Sequence, residues 1–136
     1  MSAGADAIGL VFYEQSARNV SVAQAAAISR DLPAFVNVVG LFVDATPDFI
    51  RSVLATVHLD TLQFHGDENP DHCQKIARTL GRRWMRAARI PLETPAGEEP
   101  FDLLKYAQDY SDAQAVLLDA HVDGYGGGGK TFNWSQ

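Results

Sequence analysis

The chain has 136 residues, 46% of them hydrophobic, which is one domain's worth with enough apolar side chain to bury a core, and that excludes a disordered chain. Lys plus Arg number 11 and Asp plus Glu 17, a net charge of −6 without any basic run, so non-specific nucleic-acid binding is excluded, whereas a small anionic substrate met by one well-placed arginine is not. The longest apolar stretch, residues 7–13, is far too short for a bilayer, no basic residue precedes Arg18 to start a secretory leader, and the single Cys73 has no partner for an internal disulfide; the expectation is a reduced, cytoplasmic protein that binds no membrane.

In chain order, residues 7–12 (Ala-Ile-Gly-Leu-Val-Phe) form a short continuous apolar run, the pattern of a strand covered on both faces. Residues 22–32 predict a helix that opens after Ser21, a good N-cap, and stops at Pro33. A second strand is predicted over 35–43. A helix follows over 47–57, after Thr46 and with Pro47 at its first position. Residues 61–64 read as the third strand. The helix over 70–80 starts after Asn69, again with proline first, and ends at Gly81. A fourth strand is predicted over 84–88, a weaker helix over 101–110, and a fifth strand over 115–118.

Strand starts lie roughly 23–31 residues apart, the length of a βα unit, and right-handed crossovers of this kind make a parallel sheet. A doubly wound sheet and a barrel both fit that order. A complete (β/α)8 barrel needs eight units, and five strands are counted. The segment Gly4-Ala5-Asp6-Ala7 reads as a helix-to-strand turn with no helix before it, and the chain stops soon after a glycine-rich run. Both ends look like cuts through a larger repeat.

In parallel α/β folds the site lies at the carboxyl ends of the strands. The residues expected there are Tyr13 to Arg18 after the first strand, Asp44 after the second, Gln63, His65 and Asp67 after the third, Arg86 and Arg89 after the fourth, and Asp119, His121 and Asp123 after the fifth. The run Gly124-Tyr125-Gly126-Gly127-Gly128-Gly129-Lys130-Thr131 matches the phosphate-cradling pattern G-x-x-x-x-G-K-[ST]. Four residues separate it from the fifth strand, and little chain follows to make the helix the mechanism needs. A flexible loop over a site is the plainer reading, and a nucleotide-binding α/β module is the alternative. Residues 67–71 begin like a calcium loop but lack its glycine, so they read as a solvated acidic helix start. His58, His65 and His72 do not share the spacing of ligands on one element, and no metal is assigned. Cys73 falls inside a helix and reads as a buried, inert thiol.

Asp119 ends an apolar strand, where partial desolvation raises a carboxyl pKa and suits it to general acid work. Arg18, on the first loop, can grip a carboxylate or phosphate bidentately or can be a plain surface charge.

Six segments in order form a recognisable set: Gly4-Ala5-Asp6-Ala7-Ile8-Gly9-Leu10-Val11-Phe12, Ser16-Ala17-Arg18-Asn19-Val20-Ser21, Val39-Gly40-Leu41-Phe42-Val43, Leu62-Gln63-Phe64-His65-Gly66-Asp67-Glu68, Leu117-Leu118-Asp119-Ala120, and Gly126-Gly127-Gly128-Gly129-Lys130-Thr131-Phe132-Asn133-Trp134. Together they closely resemble the phosphoribosylanthranilate isomerase family over essentially the whole chain. The resemblance implies a partial (β/α)8 TIM barrel, about strands two to six of eight, with residues 1–136 as a single incomplete domain. It implies an isomerase of tryptophan biosynthesis that needs no cofactor. The substrate would be a phosphorylated sugar carrying anthranilate, rearranged from aminoaldose to aminoketose. Asp119 matches the family's general acid, which protonates the furanose ring oxygen. Arg18 matches the arginine that holds the anthranilate carboxylate, and Gln63 and His65 match pocket-lining positions.

The departures concern what flanks these motifs. The family's opening strand, which carries Lys-Ile-Cys-Gly and the general base, has no counterpart, nor do the last two strands that bind phosphate. Ala17 stands where the family often has proline, Gly128 where it often has threonine, and Asn133 where it often has aspartate. The isolated chain is therefore expected to be inactive, and a complementing barrel segment is its expected partner.

Overall fold

The computed structural model describes residues 4–91 and 99–120. These form five strands and four helices in strict alternation: β1 (Ala7–Val11), α1 (Val22–Arg30), β2 (Asn37–Phe42), α2 (Pro47–Leu54), β3 (Thr61–Phe64), α3 (Pro70–Leu80), β4 (Arg83–Ile90), α4 (Leu103–Asp109) and β5 (Val116–Ala120). The glycine-rich run, His121 and Asp123 lie outside the described residues.

All four strand pairings are parallel, and the order across the sheet is β1-β2-β3-β4-β5. That order decides between the two architectures the sequence left open. A doubly wound sheet reverses direction at a switch point and carries helices on both faces. Here each strand lies beside the next, as staves do in a barrel wall. The side chains agree. Leu10, Phe12, Val38, Phe42, Leu62, Phe64 and Trp84 pack with Ala25, Ile50, Val53, Cys73, Ile76 and Tyr110 in one core. Alternate strand residues thus meet helices on one face only. The other face carries Val39, Leu41, Thr61 and Met85, which are half-buried, and Leu117, which is exposed.

Most element boundaries follow from capping chemistry. Ser21 forms a capping box with Gln24 at the start of α1. Thr46 Oγ1 accepts from the Phe49 amide and Asn69 Oδ1 from the His72 amide, each followed by proline at the first helical position. Gly81 ends α3 at φ 63°, a left-handed conformation that glycine adopts without strain.

The ends differ from the sequence reading in several places. Helix α1 stops at Arg30 rather than 32, because Asp31 caps it and the chain turns through Pro33 towards β2. Helix α2 ends at Leu54 rather than 57, with Val57 still bonding back to Val53. Helix α4 is shorter than 101–110, since Asp102 is its N-cap and Tyr110 its C-cap. Strand β2 is shorter than 35–43. Strand β4 extends to Arg83 and Ile90, past the predicted 84–88. Strand β5 continues through Asp119 to Ala120, because β4 supplies a register partner for each of those residues.

Arg86 departs most from expectation. It is not at the mouth of the sheet. It sits in mid-β4 on the helix-facing side, 4% exposed, beneath α4. Its Nη1 donates to Glu68 Oε2 at 2.8 Å, Nη2 to the Gly66 carbonyl at 2.7 Å, and Nε to the Tyr106 hydroxyl at 2.7 Å, while its Cζ lies 4.9 Å from the Tyr110 ring centroid. Burial opposes the guanidinium charge, but Tyr106, Tyr110 and Glu68 outweigh it and hold the pKa above its ordinary value. Glu68 is likewise buried, at 6% exposed, and is not the solvated acid that its surroundings in sequence suggest. Its Oε1 accepts from the Asp44 amide and its Oε2 from the Gly66 amide, at 2.8 and 2.9 Å.

One ion pair therefore binds the loops after β2 and β3 to β4 and α4. Replacing Glu68→Ala leaves Arg86 buried without its counter-charge, and the expected loss is about 3–5 kcal/mol, read as a lower urea midpoint. The double replacement Glu68→Leu with Arg86→Met is not expected to restore wild-type stability, because the Asp44 and Gly66 amides would still lack an acceptor.

Candidate active site

Five parallel strands bring their carboxyl ends to one rim. The loop after β1 is pinned at both ends. Ser16 and Asn19 bond back within it, and the Val20 amide donates to the Val11 carbonyl. Arg18 is exposed on this loop, its amide donating to Ser16 Oγ at 3.2 Å.

After β2, Asp44 adopts φ 47°, a conformation costly for a residue other than glycine. It is held there from both sides. Its amide meets Glu68 Oε1, and its Oδ1 accepts from the Asp67 amide at 2.7 Å. Gly66 fits against this turn because a Cβ there would lie 2.5 Å from Asp44 Oδ1 and 2.6 Å from Asp44 N. The Asp44 carboxylate thus latches two loops together.

On β3, Gln63 and His65 are two residues apart and project to the same, inward face. The His65 amide donates to the Phe42 carbonyl, so the ladder with β2 runs one residue past the strand's end. His65 is 3% exposed and Gln63 9%. On β4 the inward face carries Ala87 and Arg89, and Arg89 forms an ion pair with Asp67. On β5 that face carries Leu117 and Asp119, with the Asp119 side chain 21% exposed.

Asp119 and His65 meet although 54 residues and one strand separate them: His65 Nε2 lies 3.1 Å from Asp119 Oδ2. Ala87 lies on the intervening strand, one residue past the Phe64–Arg86 register pair and opposite Leu117. Its methyl group is the smallest inward side chain of β4, between Met85 and Arg89. On the other side of the ring, Gln63 Nε2 lies 3.4 Å from His65 Nδ1. Burial pushes the His65 pKa below its ordinary value; Asp119 works against this, and Arg89 and Arg86 add to it.

The structure thus brings together three of the four residues singled out from sequence: Asp119, His65 and Gln63. Arg18 is on the same end of the sheet, but on β1's loop, across the arc from β5. Cys73 is in α3 on the helix side, fully buried, its thiol pushed up to about 12 by burial. It is inert there and far from the inward face. The three histidines sit on different segments, with His58 bonded to Asp60 and His72 exposed on α3, and among the described residues no cluster of ligating side chains could hold a metal. A cleft of about 400 Å³ opens at the opposite end of the sheet, around Leu32, Phe35, His58 and Asp60, and contains none of the site's side chains.

Sequence reasoning missed Glu68 and the structural task of Arg86. A signal was present. An arginine inside the run Trp84-Met85-Arg86-Ala87-Ala88 needs a buried counter-charge, and Glu68 is a nearby acid.

A family model described as N-(5'-phosphoribosyl)anthranilate (PRA) isomerase matches residues 1–136. The chain is 53% identical over 135 residues to the N-(5'-phosphoribosyl)anthranilate isomerase of Methylibium petroleiphilum, covering 99% of this chain and 58% of that protein. It is 51% identical over 139 residues to the isomerase of Acinetobacter calcoaceticus, covering 100% and 62%. Among solved structures, the phosphoribosyl anthranilate isomerase of Thermotoga maritima superposes with a TM-score of 0.76 at 37% identity, over 98% of this chain and 60% of that one. An isomerase in complex with reduced 1-(o-carboxyphenylamino)-1-deoxyribulose 5-phosphate matches with a TM-score of 0.70 at 34% identity, over 88% and 56%. The chain spans little more than half the length of these relatives.

The His65 environment predicts a pH dependence. With its folded pKa below the unfolded value, the unfolded chain takes up the proton first as pH falls, so stability is lost on acidification through the ordinary histidine range. Urea midpoints measured between about pH 7.5 and about pH 5.5 should fall for the wild type and fall less steeply for His65→Gln.

Proposed function

The chain belongs to the N-(5'-phosphoribosyl)anthranilate isomerase family, and from that membership we propose that it serves the Amadori rearrangement of N-(5-phosphoribosyl)anthranilate to 1-(2-carboxyphenylamino)-1-deoxyribulose 5-phosphate in tryptophan biosynthesis. The observation that carries the reading is the half-buried Asp119 carboxyl on His65 at the carboxyl mouth of a parallel arc.

The chemistry asks for an acid at that place. Oδ2 of Asp119 faces His65 Nε2, and Oδ1 takes no part in that bond. A proton on Oδ1 passes to the furanose ring oxygen. The C1–O bond breaks and the nitrogen lone pair closes a C1=N iminium. Loss of the C2 proton to a base gives the enolamine, which becomes the ketone by protonation at C1 and loss of the C2 hydroxyl proton. C1 is reduced as C2 is oxidised within one molecule, so the reaction calls for no cofactor.

Arg18 is assigned to the anthranilate carboxylate, for which its planar fork is suited. Gln63 and His65 line the pocket. The base for the C2 proton is assigned to no residue of this chain, since Cys73 is buried on the opposite face of the sheet. A complementing barrel segment would supply that base and the phosphate contacts, leaving residues 1–136 inactive alone. The unpaired Cys73 thiol suits a reducing, cytoplasmic setting.

The test is turnover of N-(5-phosphoribosyl)anthranilate, followed by its fluorescence, with the chain alone and joined to the missing barrel staves. Activity is expected only in the second case. There Asp119→Asn should lower kcat by about 10²–10⁴-fold with little change in KM. Arg18→Ala should raise KM about tenfold or more. Undiminished turnover in Asp119→Asn would sink the assignment.

A further inference from the structure

The Asp119–His65 contact leaves one question that its neighbours answer: which ring nitrogen carries the proton. A neutral imidazole has one donor and one acceptor, and the partner of the far nitrogen selects between them. That partner is Gln63. Its Nε2, which can only donate, lies 3.4 Å from His65 Nδ1. Nδ1 must then accept, and the ring proton resides on Nε2, 3.1 Å from Asp119 Oδ2. The charges around the ring are Asp119 from β5, which favours the imidazolium, and Arg89 and Arg86 from β4, which join burial in holding its pKa below the ordinary value. Gln63 is itself buried and in register between Leu41 and Met85, which limits its freedom to swing away.

We propose that Gln63 is a positioning residue, whose carboxamide fixes His65 as the Nε2–H tautomer so that this N–H steadies the Asp119 carboxylate left once the acid has given up its proton. With the opposite tautomer, the Nε2 lone pair would face the carboxylate oxygen and repel it. The catalytic part of this inference rests on the isomerase reading; the tautomer itself does not.

The experiment separates the two. Long-range ¹H–¹⁵N spectra of the ¹⁵N-histidine-labelled chain read the His65 tautomer directly. The expected result is protonated Nε2 and bare Nδ1 in the wild type. Gln63→Leu, which removes the donor to Nδ1 and leaves only Asp119 to favour Nε2–H, should lower the share of that tautomer, and Gln63→Glu, which sets a second carboxylate against the ring, should protonate both nitrogens. In the complemented enzyme both variants should lower kcat by about tenfold or more with KM nearly unchanged, part of the factor a positioned acid supplies. A wild-type Nδ1–H tautomer overturns the proposal even if no variant folds, as does an unchanged share of the Nε2–H tautomer in Gln63→Leu. A correct tautomer in a complemented barrel that never turns over substrate overturns the isomerase reading and leaves the assignment of Gln63 to the ring proton standing.

Discussion

The rim of this sheet depends on one buried ion pair. Arg86 projects from the middle of β4 into the helix layer, where a guanidinium has no water to solvate it. Its three hydrogen bonds go to the Glu68 carboxylate, the Gly66 carbonyl and the Tyr106 hydroxyl, and Tyr110 lies against its face. Glu68 answers with two backbone amides, from Asp44 and Gly66, and its own carbonyl accepts from the Tyr110 hydroxyl. The loops at the ends of β2 and β3 thus gain their shape from a charge supplied by β4. Asp44 can hold a left-handed conformation because those bonds, and the close fit of Gly66, over-determine it.

The two faces of the sheet divide the labour, and strand parity does the dividing. Trp84 and Arg86 point to the helices, where they pack and bind; Ala87 and Arg89 point inward. The same alternation separates Phe64 from Gln63 and His65 on β3, and Leu118 from Asp119 on β5. A shift of one residue in any strand would exchange stabilising and chemical side chains. That is why the outward core, with Phe42, Phe64 and Ile50 fully buried, matters for a site on the opposite face from those side chains: it fixes the register that aims the inward set.

Asp119 and His65 approach across a strand instead of between neighbours. The intervening strand, β4, places only the methyl group of Ala87 at the level of His65. Arg89, its next inward residue, is drawn towards Asp67 on the rim. The acid is left half-buried, with its histidine contact inside and its access from the mouth.

Periodicity and caps in the sequence were enough to determine the βα alternation, the helix starts at Ser21, Thr46 and Asn69, the stop at Gly81, and the placing of Asp119 at a strand's carboxyl end. These are local properties, set by residues within a few positions of each other, and they survive whatever the rest of the chain does. The six ordered motifs added the family. What only the tertiary structure decided is which strands are neighbours, which face each residue takes, and which distant groups meet. The barrel-like strand order, the burial of Glu68 against Arg86, and the contact of His65 with Asp119 all depend on register between segments 18 to 54 residues apart. A one-dimensional pattern records hydrophobicity along the chain but not the pairing of one strand with another, so an arginine in an apolar run or an acid before a helix cap acquires its meaning only once the sheet has formed.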